Sequence, residues 1–419
     1  MLVRSIAALL LLSGCATTPD GLPQDAQTPQ TIRIASFNVA LSRDAAGQLL
    51  DELSTGYNAQ AQAVAEIIQR VRPDILVLGE VDFDDGGPQG SSRVLTALQK
   101  NYLAVSQKEA APIEYAYAFA VPSNTGLHNS EFADAPLDLN RDGVVDLQAG
   151  SDAYASDALG YGRHPGHYAF ALLSKFPLDL SRMRTFQELL WRDVPAPVLP
   201  VLPDTGEPFY SAAALAVLRL SSKNHVDVPV QIGAQRIHVL ASHPTPPGFD
   251  GPEDRNGLRN AAEVQFWVDY LNVDAALTDD AGRRGGLAAD ALFVIAGDLN
   301  ADPVDGDSAE AMQRLLDHPR VNANMPPASQ GGIDRARAQA GSNREHAGNA
   351  ALDTGDFHDA YAGNLRVDYA LPSTNLRLRN SGVFWPADND PLVRLTGDGS
   401  EVVSSDHRMV WIDVQLPGR

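Results

Sequence analysis

One cysteine in 419 residues excludes internal disulfides, a cysteine-rich zinc site and a dithiol redox pair. Packing alone must hold the interior, and oxygen and imidazole are the only metal ligands on offer. Cations are also scarce: 32 Lys and Arg face 53 Asp and Glu, a net charge of −21, and lysine occurs only at 100, 108, 175 and 223. So negative a surface lacks the clustered cations of a broad, sequence-independent nucleic-acid face. A local cationic or metal-lined cleft for one phosphate stays open. Apolar residues at 44% and charged residues at 20% place the chain among globular proteins.

The lone cysteine falls where it has a use. Arg4, an apolar run from Ile6 to Leu12, and then Leu12-Ser13-Gly14-Cys15 have the layout of an export signal, and the run is too short to span a membrane. The Leu-Ser-Gly-Cys ending resembles the lipobox of bacterial lipoproteins. That implies a signal peptide over 1–14, lipidation of Cys15 and, with Ala16 rather than Asp next, sorting to the outer membrane. Residues 15–30, rich in Thr, Pro, Asp, Gln and Gly without an apolar period, read as a flexible tether.

Beyond the tether, apolar runs of strand length end in polar residues: Ile32–Phe37 then Asn38, Ile75–Gly79 then Glu80, Tyr168–Leu173 then Ser174. Arg236–Ser242 then His243, Leu292–Gly297 then Asp298, Val367–Leu371 and His407–Leu416 follow. Such runs suit buried strands. Between them, Ala61, Val64, Ile67, Ile68 and Val71, and later Val264, Trp267, Val268 and Leu271, form helical stripes. The mixture predicts a layered α/β architecture. Loop-rich stretches at 109–165, 183–230 and 317–365 read as insertions into one catalytic domain over 31–416.

Six segments carry the chemistry: Ser36-Phe37-Asn38-Val39, Leu78-Gly79-Glu80-Val81, Ala241-Ser242-His243, Gly297-Asp298-Leu299-Asn300, Arg366-Val367-Asp368-Tyr369 and Ser405-Asp406-His407-Arg408. Their order resembles the endonuclease/exonuclease/phosphatase superfamily of deoxyribonuclease I-like phosphoesterases. Leu173–Pro177, Ser242–Pro247 and Phe249–Asn256 resemble a bacterial exported subgroup. The resemblance implies two packed mixed β-sheets flanked by helices, a four-layer α/β sandwich. It also implies that Asp298 orients or deprotonates the attacking water while Asn300 donates to the phosphate.

Phosphoester cleavage requires a Lewis acid, a positioned water, a base and help for the leaving group. Glu80 offers a hard oxygen ligand for Mg²⁺ or Mn²⁺, Asn38 a neutral oxygen, and Asp406 a third oxygen near the metal. His407 is the candidate base, with Asp368 accepting its other ring proton. His243 is expected to donate to a phosphate oxygen. Arg255 and Arg259, four apart, read either as a phosphate clamp or as ion-pair partners of Glu253, Asp254 or Glu263.

A separate signal is Asp138-Leu139-Asn140-Arg141-Asp142-Gly143-Val144-Val145-Asp146. Oxygen side chains at positions 1, 3 and 5 with Gly at 6 match the opening of an EF-hand loop, although Ala149 stands at position 12. Asp138, Asn140, Asp142, Val144 and Asp146 are the candidate ligands of a structural Ca²⁺. Asp152 or Asp157 could complete the shell.

Together these readings predict a monomeric, metal-dependent hydrolase of exported or extracellular phosphoesters, anchored to the membrane at Cys15. A secreted-type nuclease, with nucleic acid only as substrate, is the alternative within the class. A noncatalytic binding protein on the same fold is the alternative outside it.

Overall fold

The computed structural model describes residues 30–82, 92–273, 276–399 and 401–417. The signal peptide, Cys15 and nearly all of the tether lie outside them. No helix among the described residues is long and apolar enough to cross a membrane.

Thirteen strands are described: β1 (Thr31–Leu41), β2 (Ile75–Val81), β3 (Tyr117–Val121), β4 (Phe170–Ser174), β5 (Arg184–Thr185), β6 (His225–Ile232) and β7 (Gln235–Ser242). They continue with β8 (Leu292–Asp298), β9 (Gly355–Asp356), β10 (Asn364–Leu365), β11 (Asp368–Pro372), β12 (Arg377–Val383) and β13 (Val410–Gln415). One sheet has the order β12-β13-β1-β2-β4-β3, the other β11-β8-β7-β6-β5, and β9 with β10 forms a small ribbon. Both large sheets are mixed, because β1 runs parallel to β2 and β7 parallel to β8 while their other pairs are antiparallel.

The inner faces meet through Ile32, Ile34, Ile75 and Val77 on one side and Val226, Val228, Val239 and Val294 on the other. Ala35, Phe37 and Val39, on the opposite face of β1, pack outward under helix Ala59–Val71. Burial on both faces explains why these strands are unbroken apolar runs rather than alternating ones. The second sheet's outer face is covered by helix Arg255–Leu271, whose Val264, Trp267, Val268 and Leu271 are buried as the stripe predicts. The result is the four-layer sandwich, helix–sheet–sheet–helix.

Besides the two-residue strands β5, β9 and β10, three strands were not expected. β6 lies at the end of a stretch read as loop, and Pro229 interrupts its pattern. β3 and β12 are edge strands, and β12 exposes much of Arg377–Val383. Just beyond β12, Trp385 is buried in the inter-sheet core.

Candidate active site

Strand direction gathers the motifs. Because β1 and β2 are parallel, Asn38 lies beside Gly79 and the chain presents Asn38 and Glu80 at the same edge. Any side chain at Gly79 would crowd Asn38, its Cβ 3.3 Å from the Asn38 Cα. β7 and β8 are likewise parallel and deliver His243 and Asp298 together. The antiparallel β11 starts where β8 stops, so Asp368 pairs with Asp298. β13 is antiparallel to β1, which brings Ser405–His407 to the end of β1, where the Ser405 hydroxyl donates to the Asn38 carbonyl at 2.7 Å.

Asp298 is the meeting point. Its Oδ2 accepts from the Asn38 Nδ2 at 3.0 Å and lies 3.4 Å from His243 Nε2 and 3.6 Å from His407 Nε2. Its Oδ1 accepts from the Asn300 backbone N–H at 2.8 Å. His407 Nδ1 lies 2.9 Å from Asp368 Oδ2, the hydrogen bond expected of that pair. Asp368 is itself buried, with its backbone N–H donating to Thr354 Oγ1. The Asn38 amide also donates to Glu80 Oε1 at 3.0 Å, so one side chain spans carboxylates from both sheets.

Charge dominates the electrostatics. Burial, reinforced by neighbouring Asp406, pushes the Glu80 carboxyl up. Burial likewise lifts Asp298 to about 6. Burial alone would lower His407, but the Asp368 and Asp298 carboxylates outweigh it and hold the imidazole well above its ordinary value. His243 goes the other way, depressed by burial and then by the cations Lys223 and His407. The two histidines are thus pushed in opposite directions, His243 toward the neutral form and His407 toward the charged one. Environments that drive neighbouring groups apart in this way are a mark of acid–base sites. Backbone outliers cluster here too: Glu80 at φ 53°, Asn300 at φ 49° and Tyr168 at φ 58°, a conformation that side chains other than glycine seldom adopt.

Glu80, His243 and Asp298 offer ligand atoms all within 4.8 Å of one another. Asp406, half-buried and close enough to act on Glu80, adds a fourth candidate. A divalent cation fits this donor set, because buried carboxylates forced toward their neutral forms regain charge beside one.

Some expected roles change. The Asn38 oxygen accepts from the Ala40 N–H at 3.1 Å, and its amide is turned to the carboxylates. Asn300 does not share a strand face with Asp298. β8 ends at Asp298, and the left-handed backbone at 300 aims the Asn300 amide at the Pro244 carbonyl, 3.2 Å away. The arginine clamp is corrected outright. Arg259 is buried with its guanidinium on the carbonyls of Leu159, Arg219 and Leu220, and Arg255 pairs with Glu253. Asp146 turns away from the Asp138 loop, accepting from Gln148 N and from Ser151 Oγ. The remaining loop residues are placed together: Asp138 accepts from the Asp142 and Gly143 amides, Asn140 donates to Asp142, and Asp142 accepts from the Val144 amide.

The sequence reading missed Lys223. It heads β6, is 6% exposed, and sends its Nζ to within 3.4 Å of the Pro244 carbonyl. Burial lowers its ammonium, whereas Glu263, Glu80 and Asp298 act to keep it charged. A lone lysine in Ser221-Ser222-Lys223-Asn224-His225 carries no periodic signal. Its rarity in this chain was the only clue. Replacing it with Met, similar in volume but uncharged, is expected to lower kcat/KM about 10- to 100-fold, the scale of one charged hydrogen bond. Circular dichroism should remain native. Wild-type kinetics in Lys223→Met would remove it from the site.

A second buried cluster borders the first. Asp82 lies two residues beyond Glu80 and faces His164 and His167. The Arg43 and Tyr168 amides bond Asp82, His164 Nε2 donates to the Arg43 carbonyl, and His167 Nδ1 accepts from the Arg163 amide. These bonds engage one nitrogen of each imidazole and fix both rings beside Asp82.

Comparison with known proteins agrees with this layout. No curated protein matches the chain. Among solved structures, an endonuclease/exonuclease/phosphatase from Beutenbergia cavernae is similar at 16% identity, covering 92% of this chain and 72% of that one, with a TM-score of 0.46. A family protein from Bacteroides thetaiotaomicron (10% identity, 93% and 99% covered, TM-score 0.45) and a sphingomyelinase C from Streptomyces griseocarneus (14%, 93% and 100%, 0.43) are similar as well. A family model described as Endonuclease/Exonuclease/phosphatase family matches residues 35–407, a span that takes in all the site residues from Asn38 to His407, and the chain belongs to that family.

Proposed function

We propose that this protein is a divalent-metal-dependent phosphoester hydrolase acting on exported or extracellular substrates. The observation that carries the reading is Asp298, bonded to Asn38 and flanked by two imidazoles, one of them fixed by Asp368.

Glu80 and Asp406 are the residues that would hold Mg²⁺ or Mn²⁺. Such an ion supplies positive charge to the phosphoryl oxygens. The chain's own groups divide the rest. Asp298, with a carboxyl near 6, orients the attacking water and takes its proton, a good match to neutral operation. His407 is cationic between two carboxylates and therefore serves better as a charge partner for the developing phosphorane than as the base first expected of it. Neutral His243 donates one hydrogen bond, and its buried Nδ1 lacks a protein partner. The lipobox-like Leu12–Cys15 supports an exported, lipid-anchored location, and the net charge of −21 favours small or medium phosphoesters over polyanionic nucleic acid.

The test is a panel of aryl monophosphate, bis-aryl phosphate, plasmid DNA, inositol phosphates and sphingomyelin with Mg²⁺, Mn²⁺ or Ca²⁺, using residues 16–419. Metal-dependent turnover of a small phosphoester is expected. Turnover confined to DNA would favour the nuclease alternative, and none at all the binding-protein alternative.

A further inference from the structure

The Asp138–Asp146 loop takes no part in the proposed hydrolysis, yet of the carboxylates that could complete its shell the structure brings Asp157 against it. Asp157 follows the short helix Asp152–Ser156 and is 0% exposed. Its Oδ1 accepts from the Leu139 backbone N–H, inside the loop, at 2.6 Å. Its Oδ2 is buried without any hydrogen-bond partner. Asp138 and Asp142 lie near enough for their charges to act on it. A buried carboxylate oxygen without a partner, beside two further carboxylates, costs several kcal/mol unless something positive meets it.

Besides burial, the largest influences on Asp157 are the loop's own Leu139 and Asn140 amides and the Asp138 and Asp142 carboxylates. Arg141, the loop's own cation, points elsewhere and donates to the Phe209 carbonyl. Gly143, at φ 83°, gives the sharp turn that an EF-hand-type loop needs at position 6.

We propose that Asp138, Asn140 and Asp142, with the Val144 main-chain carbonyl, bind a structural Ca²⁺ whose shell is closed by Asp157 instead of a loop residue at position 12. Three carboxylates, an amide oxygen and a carbonyl form the all-oxygen set that Ca²⁺ accepts in six- to eightfold coordination, whereas Mg²⁺ demands a tighter octahedron. Asp146 is left to fix the next turn through Ser151, whose own Oγ caps the helix leading to Asp157. The ion would therefore tie the loop to the segment that continues through Leu159, held by Arg259, and on to His164, His167 and Tyr168 at the cleft wall. Its role is to brace that wall.

The experiment is thermal unfolding of chelator-treated residues 16–419 with 1 mM Ca²⁺ or Mg²⁺, alongside calorimetric titration with each ion. Ca²⁺ is expected to raise Tm by about 5 °C, the scale of an ion present well above its Kd, and Mg²⁺ by much less. Asp142→Asn and Asp157→Asn should abolish the Ca²⁺ increment, while Glu80→Gln, altered only in the catalytic cluster, should retain it. Persistence of the increment in Asp157→Asn, its loss in Glu80→Gln, or an equal response of Glu80→Gln to Mg²⁺ would each overturn the assignment. These readouts do not depend on turnover, so the site stands or falls apart from the proposed hydrolase activity.

Discussion

His407→Ala is expected to lower kcat on the preferred phosphoester by about 10²–10⁴-fold and to leave the metal concentration for half-activation close to wild type. Between Asp368 and Asp298, the imidazolium is a fixed positive charge in a buried site, where its effect on developing negative charge is large. Asp368→Asn should cost less, about 10–10²-fold, because the imidazole stays in place and Asp298 still favours its charged form. The pH profile separates charge partner from base. A cationic His407 gives activity that falls as pH rises through its elevated value, above 6.5, and His407→Gln should lose that alkaline limb. A base would give the reverse limb. Full turnover in a folded His407→Ala variant would remove the residue from the mechanism altogether.

Glu80→Gln is expected to raise the half-activating Mg²⁺ concentration by about 10–10²-fold, since one hard carboxylate ligand becomes a neutral amide, with partial recovery in excess Mg²⁺ or Mn²⁺. A companion effect appears without metal. Folding raises Asp298 from 3.8 to about 6, so in that window the folded state binds more protons than the unfolded one. Metal-free protein should therefore lose stability as pH climbs from 4 to 6, and added Mg²⁺ should restore it by favouring the ionised carboxylate. His407 contributes in the same direction at higher pH. Its raised value gives stability present in full below 6.5 and lost as pH passes through the folded value. Unchanged metal dependence in Glu80→Gln would shift the ion's coordination to Asp298 and His243.

Much of this site was legible because strand ends are legible. Asn38, Glu80, His243 and Asp298 each follow an apolar run, and Asp368 and His407 each precede one. Buried strands must expose their chemistry where they stop. The strands that escaped notice lacked that contrast. Pro229 sits within β6 opposite His238, and Arg377–Val383 is polar because an edge strand is half in water. Spacing could not place the buried cations. Arg255 and Arg259 sit one helical turn apart, which says nothing about whether a guanidinium meets a phosphate or three backbone carbonyls. Lys223 was invisible for the converse reason: a single buried cation has no pattern. Asp152 and Asp157 were equal candidates along the chain, and only the fold singles out Asp157.

The pairing of β1 with β13 has a temporal consequence. Arg33 on β1 bonds Asp413 on β13 across 380 residues, and His407 stands just ahead of that distant strand. Asn38 and Glu80 come from one sheet, Asp298 and Asp368 from the other, so neither half of the sandwich holds a working set. A nascent chain would carry five of the six motifs and still lack the full set. Under the proposed activity, hydrolysis would begin only when β13 zips onto β1 and carries His407 to Asp368, which would make catalysis a report that the fold has closed.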